Sequence, residues 1–344
     1  MSLSNASMAE INALNYANEV FFLFWTFASI ALGTVGHLLS IYVFTRPILR
    51  SNPCACYFLA ATVTGLFVSY INLPLRLLQY VFNYDVFKYS NASCKILSWI
   101  LFCSRALASW FIALASIDRF LCSSPSTMLR AWSSLRVASR SIPLMVIAIG
   151  ILYTHVLVQY ENTSAIRKCY AGSSANPFFN GIWNFLVFNL GPSIIMLIFG
   201  SLTIRHVQQS MRRVTASNNK TQTGTGLTTA VQEQLQRQKT IDRQLIRMMV
   251  AQSVYFAVLT TPNSVGYIYF SLTTNTLFND VQLAQVNLFV NIAGLLSTTG
   301  ACTTFYLFTL SSKLFRQELM RLFTWRSYEH PTTTPNSHAV RPNN

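Results

Sequence analysis

Charge is what this sequence has least of. Of its 344 residues, 10% are Asp, Glu, Lys or Arg, against about a quarter in a soluble domain. Acidic groups are the scarcer sign, with 10 Asp and Glu against 25 Lys and Arg. The long apolar stretches hold no carboxylate except Asp118, at the edge of one of them. That argues against a transporter or channel, which needs intramembrane carboxylates, internal repeats or broken half-helices. The chain shows no repeat and no paired Gly- or Pro-interrupted segments. It also lacks a His-Glu-x-x-His stretch, a nucleophile elbow and an acidic pair, so it does not read as a membrane enzyme. His37 and His155 have no Cys, His or carboxylate at ligand spacing. No metal site and no cofactor are expected. The first 19 residues carry no basic n-region, so the first apolar block reads as a retained span rather than a cleaved leader.

Hydrophobic residues make up 52% of the chain, gathered into blocks long enough to span a bilayer, about 20 residues each. They cover roughly 20–44, 54–82, 96–121, 142–160, 180–204, 248–272 and 283–310. A soluble helical protein would keep a polar stripe on most of its helices, and these blocks lack one. The expected fold class is an all-α membrane protein, a bundle of seven helices in the lipid bilayer.

The formal charge of +15 suggests nucleic acid until its distribution is considered. The stretches after spans one, three and five, with the C-terminal tail and Arg119 at the end of span three, hold 19 of the Lys and Arg; the opposite loops hold four, and Arg76 and Arg105 lie inside spans. By the positive-inside rule the N-terminus is extracellular and the C-terminus cytoplasmic, in a multi-pass plasma-membrane protein with no nucleic-acid partner. Asn-x-Ser sequons at Asn5, Asn91 and Asn162 all fall on the outer side, as expected for glycosylation. Cys94 and Cys169 also fall there, where an oxidising compartment lets them pair. The chain then divides into an extracellular N-terminus (1–19), a seven-span domain (20–310), a basic amphipathic membrane-surface helix (311–325) and a disordered cytoplasmic tail (326–344). A long cytoplasmic loop runs over about 205–247, polar and low in complexity in its middle.

Several motifs in this order resemble the rhodopsin-like G-protein-coupled receptors over about residues 15–325. "DRF" at Asp118, Arg119 and Phe120 is similar to the family's Asp-Arg-Tyr at the cytoplasmic end of helix three, and Cys94 stands 25 residues before Arg119. Pro74, Pro192 and Pro262 fall where the family kinks helices two, five and six. "NPC" at 52–54 and "SSKLFR" at 311–316 look like receptors of the FMRFamide-like and related neuropeptide kind. The resemblance implies a Cys94–Cys169 disulfide, and coupling to a heterotrimeric G protein through Asp118, Arg119 and Phe120. Asp242 is implied as the acidic partner of Arg119 at rest. It also implies an extracellular ligand, a peptide or a small molecule, with a chemosensory receptor as the alternative to a neuropeptide receptor.

The sequence departs from the family pattern inside the bundle. His37 replaces an Asn of helix one, and Gly65 the sodium-binding Asp of helix two. Helix four lacks its Trp, and Gly200 stands where a Tyr is usual. Thr260 replaces the Trp of helix six, and Thr304 and Phe305 open the stretch that replaces Asn-Pro-x-x-Tyr. Leu101 occupies the place of the Asp of amine receptors, which disfavours amine ligands. Arg105 is the sharper clue. It lies fourteen residues before Arg119, about 21 Å along a helix, turned to the same interior side and without an acidic partner at its level. An arginine at that depth is functional by default. Arg105, Arg76, Leu101 and Asn263 are therefore the candidate ligand-binding residues, although hydroxyls such as Ser109 or Ser297 are alternative partners for the guanidinium.

Overall fold

A computed structural model of the chain describes residues 5–82, 84–163, 168–171, 177–218, 227–273 and 279–323. The longer helices are α1 (Asn5–Phe44), α2 (Pro53–Tyr80), α3 (Asn91–Ser123), α4 (Leu135–Gln159), α5 (Phe179–His206), α6 (Leu227–Thr273), α7 (Asp280–Cys302, continued by Thr304–Ser311) and α8 (Lys313–Phe323). Six of the first seven are long and apolar enough to cross a membrane. The exception is α6, whose apolar run is interrupted by Gln252 and by the polar stretch "TTPNS" at 260–264. Large apolar side chains face outward on helix after helix, among them Phe24, Val35, Leu144, Ile151, Leu197 and Val258. So much exposed hydrocarbon suits lipid and would not suit water.

Local sequence sets most helix ends. Asn52 caps α2, its Oδ1 accepting from the Cys54 N–H at 3.0 Å, with Pro53 at the first helical position. At α3, Ser90 and Ser93 accept from one another's backbone N–H, each at 3.0 Å, closing a capping box. Two prolines leave a visible trace. A π-helical turn covers Val68–Asn72 just before Pro74, and another covers Phe185–Leu190 just before Pro192. A proline lacks the N–H and crowds the carbonyl four residues back; those carbonyls, at Tyr70 and Phe188, lie inside the two π turns. Pro262 sits within a continuous α6.

Some boundaries differ from the sequence expectation. α1 begins at Asn5, fifteen residues before the expected start at Val20. "NASMAEINALNYANE" contains no Gly or Pro and is rich in helix formers, so the helix propagates beyond the apolar block. Its 40 residues measure about 60 Å, twice the hydrocarbon thickness. Half-buried positions at Ser7, Ile11, Leu14 and Asn18 form one stripe, and this segment meets α7 through Gln285–Glu10 (3.5 Å) and Asn291–Asn18 (3.3 Å). α4 begins seven residues before the expected position, because Ser134 caps a polar first turn at Val137. The loop before α5 is not helical: β1 (Tyr160–Thr163) and β2 (Lys168–Ala171) pair antiparallel, with Asn162 opposite Cys169. The middle of the loop at 219–226 and the tail at 326–344 lie outside the described residues.

At the Arg119 end of the bundle the core is aromatic. Phe44, Phe58, Phe305, Phe308 and Phe315 are each at most 5% exposed, with neighbouring ring centroids 5.0–6.0 Å apart. Phe315 thereby seats α8 against α1 and α7. Arg316 donates to the Thr309 and Leu310 carbonyls at the end of α7, at 3.3 and 3.1 Å.

Candidate functional site

Two groups of polar side chains stand out inside the bundle, at different depths of α3. Near its last turn Arg119 is 2% exposed and Asp118 4%. Arg119 donates to Asp118 Oδ2 through Nε at 3.2 Å and also through Nη2. The same Nη2 donates to Asn52 Oδ1 at 2.8 Å, so one amide oxygen both caps α2 and holds the α3 arginine. Ser133 Oγ donates to the other carboxylate oxygen of Asp118 at 2.8 Å. The pair is thus buried and hydrogen-bonded on both sides, the condition under which a buried ion pair survives its desolvation. Phe120 packs between Phe199 and His206 of α5, with centroids 5.2 and 5.3 Å away. Asp242 lies on α6, but its side chain falls outside the described residues. Asn52 and Ser133 were not read as site residues from sequence. Only the "NPC" stretch hinted at the first, since an amide at a helix cap looks purely structural.

Fourteen residues earlier, Arg105 lies against two internal spaces. The inner one, about 20 Å³, is lined by His37, Arg105, Ser109, Gln252, Ser297 and Thr304 among others. Its size is that of one water molecule. Among the described residues no carboxylate lines it. A Cβ placed on Gly65 would come within 2.9 Å of His37 Nε2, so the imidazole fills the room that a longer side chain of α2 would occupy. The outer space, about 70 Å³, lies between α1, α2, α3, α6 and α7, and is lined by Asn72, Arg76, Arg105, Asn263, Asn291 and Thr298 with apolar neighbours. Three of the four candidate ligand residues meet here. Leu101 does not; it is 2% exposed and packed away from both spaces. Arg105 Nη2 donates to Ser297 Oγ at 2.6 Å, and the guanidinium lies 4.8 Å over the Phe188 ring. The hydroxyl partner anticipated at Ser297 is present, whereas Ser109 Oγ donates to the Ala106 carbonyl.

Hydroxyl and amide pairs join the helices around this level. Thr260 donates to Asn189 Oδ1 at 2.9 Å, linking α6 to α5. Gln252 donates to Thr304 at 3.1 Å, and Tyr255 shares a hydrogen bond with Thr303 at 2.7 Å. Trp25 donates to Thr299 at 2.8 Å, tying α1 to α7. So Thr260 and Thr304 are hydrogen-bonding positions, while Phe305 belongs to the aromatic core.

At the other end of α3, Cys94 and Cys169 form a disulfide with Cα atoms 5.6 Å apart, 75 residues apart in sequence. It pins β2 to the start of α3. Asn5 and Asn91 are exposed. Asn162 is half-buried, its Nδ2 donating to the Lys88 carbonyl at 2.6 Å and its N–H to Asn91 Oδ1 at 3.2 Å.

Comparison with known proteins agrees with this geometry. The family described as 7 transmembrane receptor (rhodopsin family) matches residues 36–311. A "Probable G-protein coupled receptor AH9.1" of Caenorhabditis elegans is 27% identical over 156 residues, which cover 44% of this chain and 35% of the relative. The chain thus spans about a third of the length of that relative. Seven helices in order, a disulfide from the head of α3 to the loop before α5, and a match over most of the chain have one reading: the protein belongs to the rhodopsin family of seven-transmembrane receptors.

Proposed function

We propose that this receptor sits in the plasma membrane with its N-terminus outside and its C-terminus in the cytoplasm. In this reading it binds an extracellular neuropeptide in the space lined by Arg76, Arg105 and Asn263, and signals to a heterotrimeric G protein through Asp118, Arg119 and Phe120. The observation that supports it most is the state of Arg119. A cation 2% exposed, held by Asp118 and Asn52 at the end of α3 opposite the disulfide, is a restrained group that a helix movement would release. Asp242 joins the proposal as a further restraint. The paired strands, tied to α3 by the disulfide, stand at the end of the bundle from which a peptide would enter. A small-molecule ligand is the second reading, favoured by the modest 70 Å³ of the outer space.

A peptide-library screen with a calcium or cyclic-nucleotide readout tests the proposal, run on the intact chain and on Arg119→Ala. A responding peptide should lose its signal in the variant at equal surface level while still binding. Unchanged signalling by Arg119→Ala would remove the coupling assignment.

A further inference from the structure

We infer that the outer space binds a carboxylate: the ligand's anchoring group is a free acid, not an amide and not an ammonium. The inference rests on the receptor reading above and specifies the ligand chemistry of the same space.

Three observations on the lining lead there. Two guanidiniums, Arg76 from α2 and Arg105 from α3, border one space of about 70 Å³, and among the described residues lining it none is acidic. Arg76 is linked to Asp85 through Gln79: Arg76 Nη1 donates to Gln79 Oε1 at 2.9 Å, and Gln79 Nε2 to Asp85 Oδ2 at 3.4 Å. Asp85 is itself within 3.6 Å of the Lys88 ammonium, outside the space. Finally, Asn72 and Asn263 are each 2% exposed, line the space, and have a buried amide nitrogen without an acceptor. A buried N–H without an acceptor is costly, and a group entering the space can satisfy it.

The chemistry of the occupant follows. An ammonium would meet two like charges at low dielectric and is repelled. A carboxamide brings one acceptor oxygen and no charge to set against the two guanidiniums. A carboxylate brings two acceptor oxygens with about four lone-pair sites and a charge opposite to both guanidiniums, and its plane matches the arginine fork. Position fits a terminal group. Arg105 lies eleven residues beyond Cys94, about 16 Å down α3, so a ligand entering from the disulfide end reaches it with its tip. The acid belongs either to a peptide C-terminus or to a small organic acid.

The test uses the full-length receptor in detergent and reads its thermal unfolding midpoint with a thiol-reactive dye, which reports exposure of its buried free cysteines. The probes are hexanoate, hexanamide and hexylammonium, with N-acetyl-Leu-Phe as free acid and as amide. Saturating hexanoate or the acid dipeptide should raise the midpoint by about 2–4 °C, while the neutral and cationic probes leave it unmoved. A dipeptide acid acting at tenfold or more lower concentration than hexanoate assigns the acid to a peptide terminus; equal potency assigns it to a small acid. Arg105→Gln should abolish the shift, and Arg76→Gln should raise the half-saturating concentration at least tenfold, so that failure of one variant to fold leaves the other. Equal shifts from acid and amide, a shift from hexylammonium, no shift from either acid, or a full shift in the folded variants overturns the inference. Loss of signalling in Arg119→Ala does not involve this space, so the receptor reading stands or falls separately.

Discussion

Asn52 has two jobs that a substitution can separate. Its Oδ1 caps α2 at the Cys54 N–H and accepts from Arg119 Nη2. A hydrogen bond to a charged group contributes about 1.5–3 kcal/mol, so its loss should shift the equilibrium between restrained and released Arg119 roughly tenfold or more. Asn52→Ala should raise ligand-independent signalling, at about 1 kcal/mol cost in stability from the lost cap. Asn52→Ser keeps a capping oxygen but is one bond shorter, and should raise basal signalling with less loss of stability. Normal basal activity in the Ser variant would mean that Asn52 serves the cap alone. Gly65 poses a steric question instead. Since a Cβ on Gly65 would run into the His37 imidazole, Gly65→Ala should destabilise the receptor, and His37→Ala should relieve much of that cost in the double variant. With no carboxylate among the described residues that line the inner space, replacing sodium by potassium should leave agonist affinity unchanged. A saturable effect specific to sodium would show that another group supplies the charge.

At the scale of elements, the aromatic core makes α8 part of the bundle. Phe315 is 1% exposed and meets Phe44, Phe305 and Phe308. Truncating a buried Phe to Ala typically costs about 3–5 kcal/mol. Phe315→Ala should therefore lower the unfolding midpoint of the solubilised receptor clearly, and Phe315→Leu much less. A midpoint unmoved in the Ala variant would show that α8 docks through other contacts. The helix Lys313–Phe323 falls within the amphipathic stretch expected at 311–325, but Phe315's place in the core was not legible, because periodicity gives a face and not the neighbour it meets. The same limit appears elsewhere. The apolar blocks located all seven helices, yet α1 runs fifteen residues past its block, since propensity and packing on α7 decide that end rather than hydropathy. Pro74 and Pro192 marked irregular helix, and the structure shows which irregularity, a π turn before each. In the candidate site, Arg105 and Arg76 were readable as charges inside apolar spans. Asn72 was not readable, because an asparagine facing a cavity and one facing a neighbour look alike in a single sequence.

For the molecule as a whole, orientation is the property on which every assignment to an outer or inner face depends. Basic residues gather on the stretches at the Arg119 end, 19 against four on the opposite loops, and anionic inner-leaflet lipid holds such an excess on the cytoplasmic side. The three sequons should then face the lumen during synthesis, but the fold does not treat them alike. Asn5 and Asn91 are exposed at helix starts, whereas the Nδ2 of Asn162, the atom a glycan would occupy, donates to the Lys88 carbonyl at 2.6 Å in a half-buried position. Glycan is expected on Asn5 and Asn91, with little on Asn162. The enzymatic deglycosylation shift on a gel should disappear in the Asn5→Gln, Asn91→Gln double variant and persist in Asn162→Gln. In the same cells a C-terminal tag should be stained only after permeabilisation. Staining of that tag on intact cells would invert the bundle and place the buried Asp118–Arg119 pair at the outer surface, where no G protein could meet it.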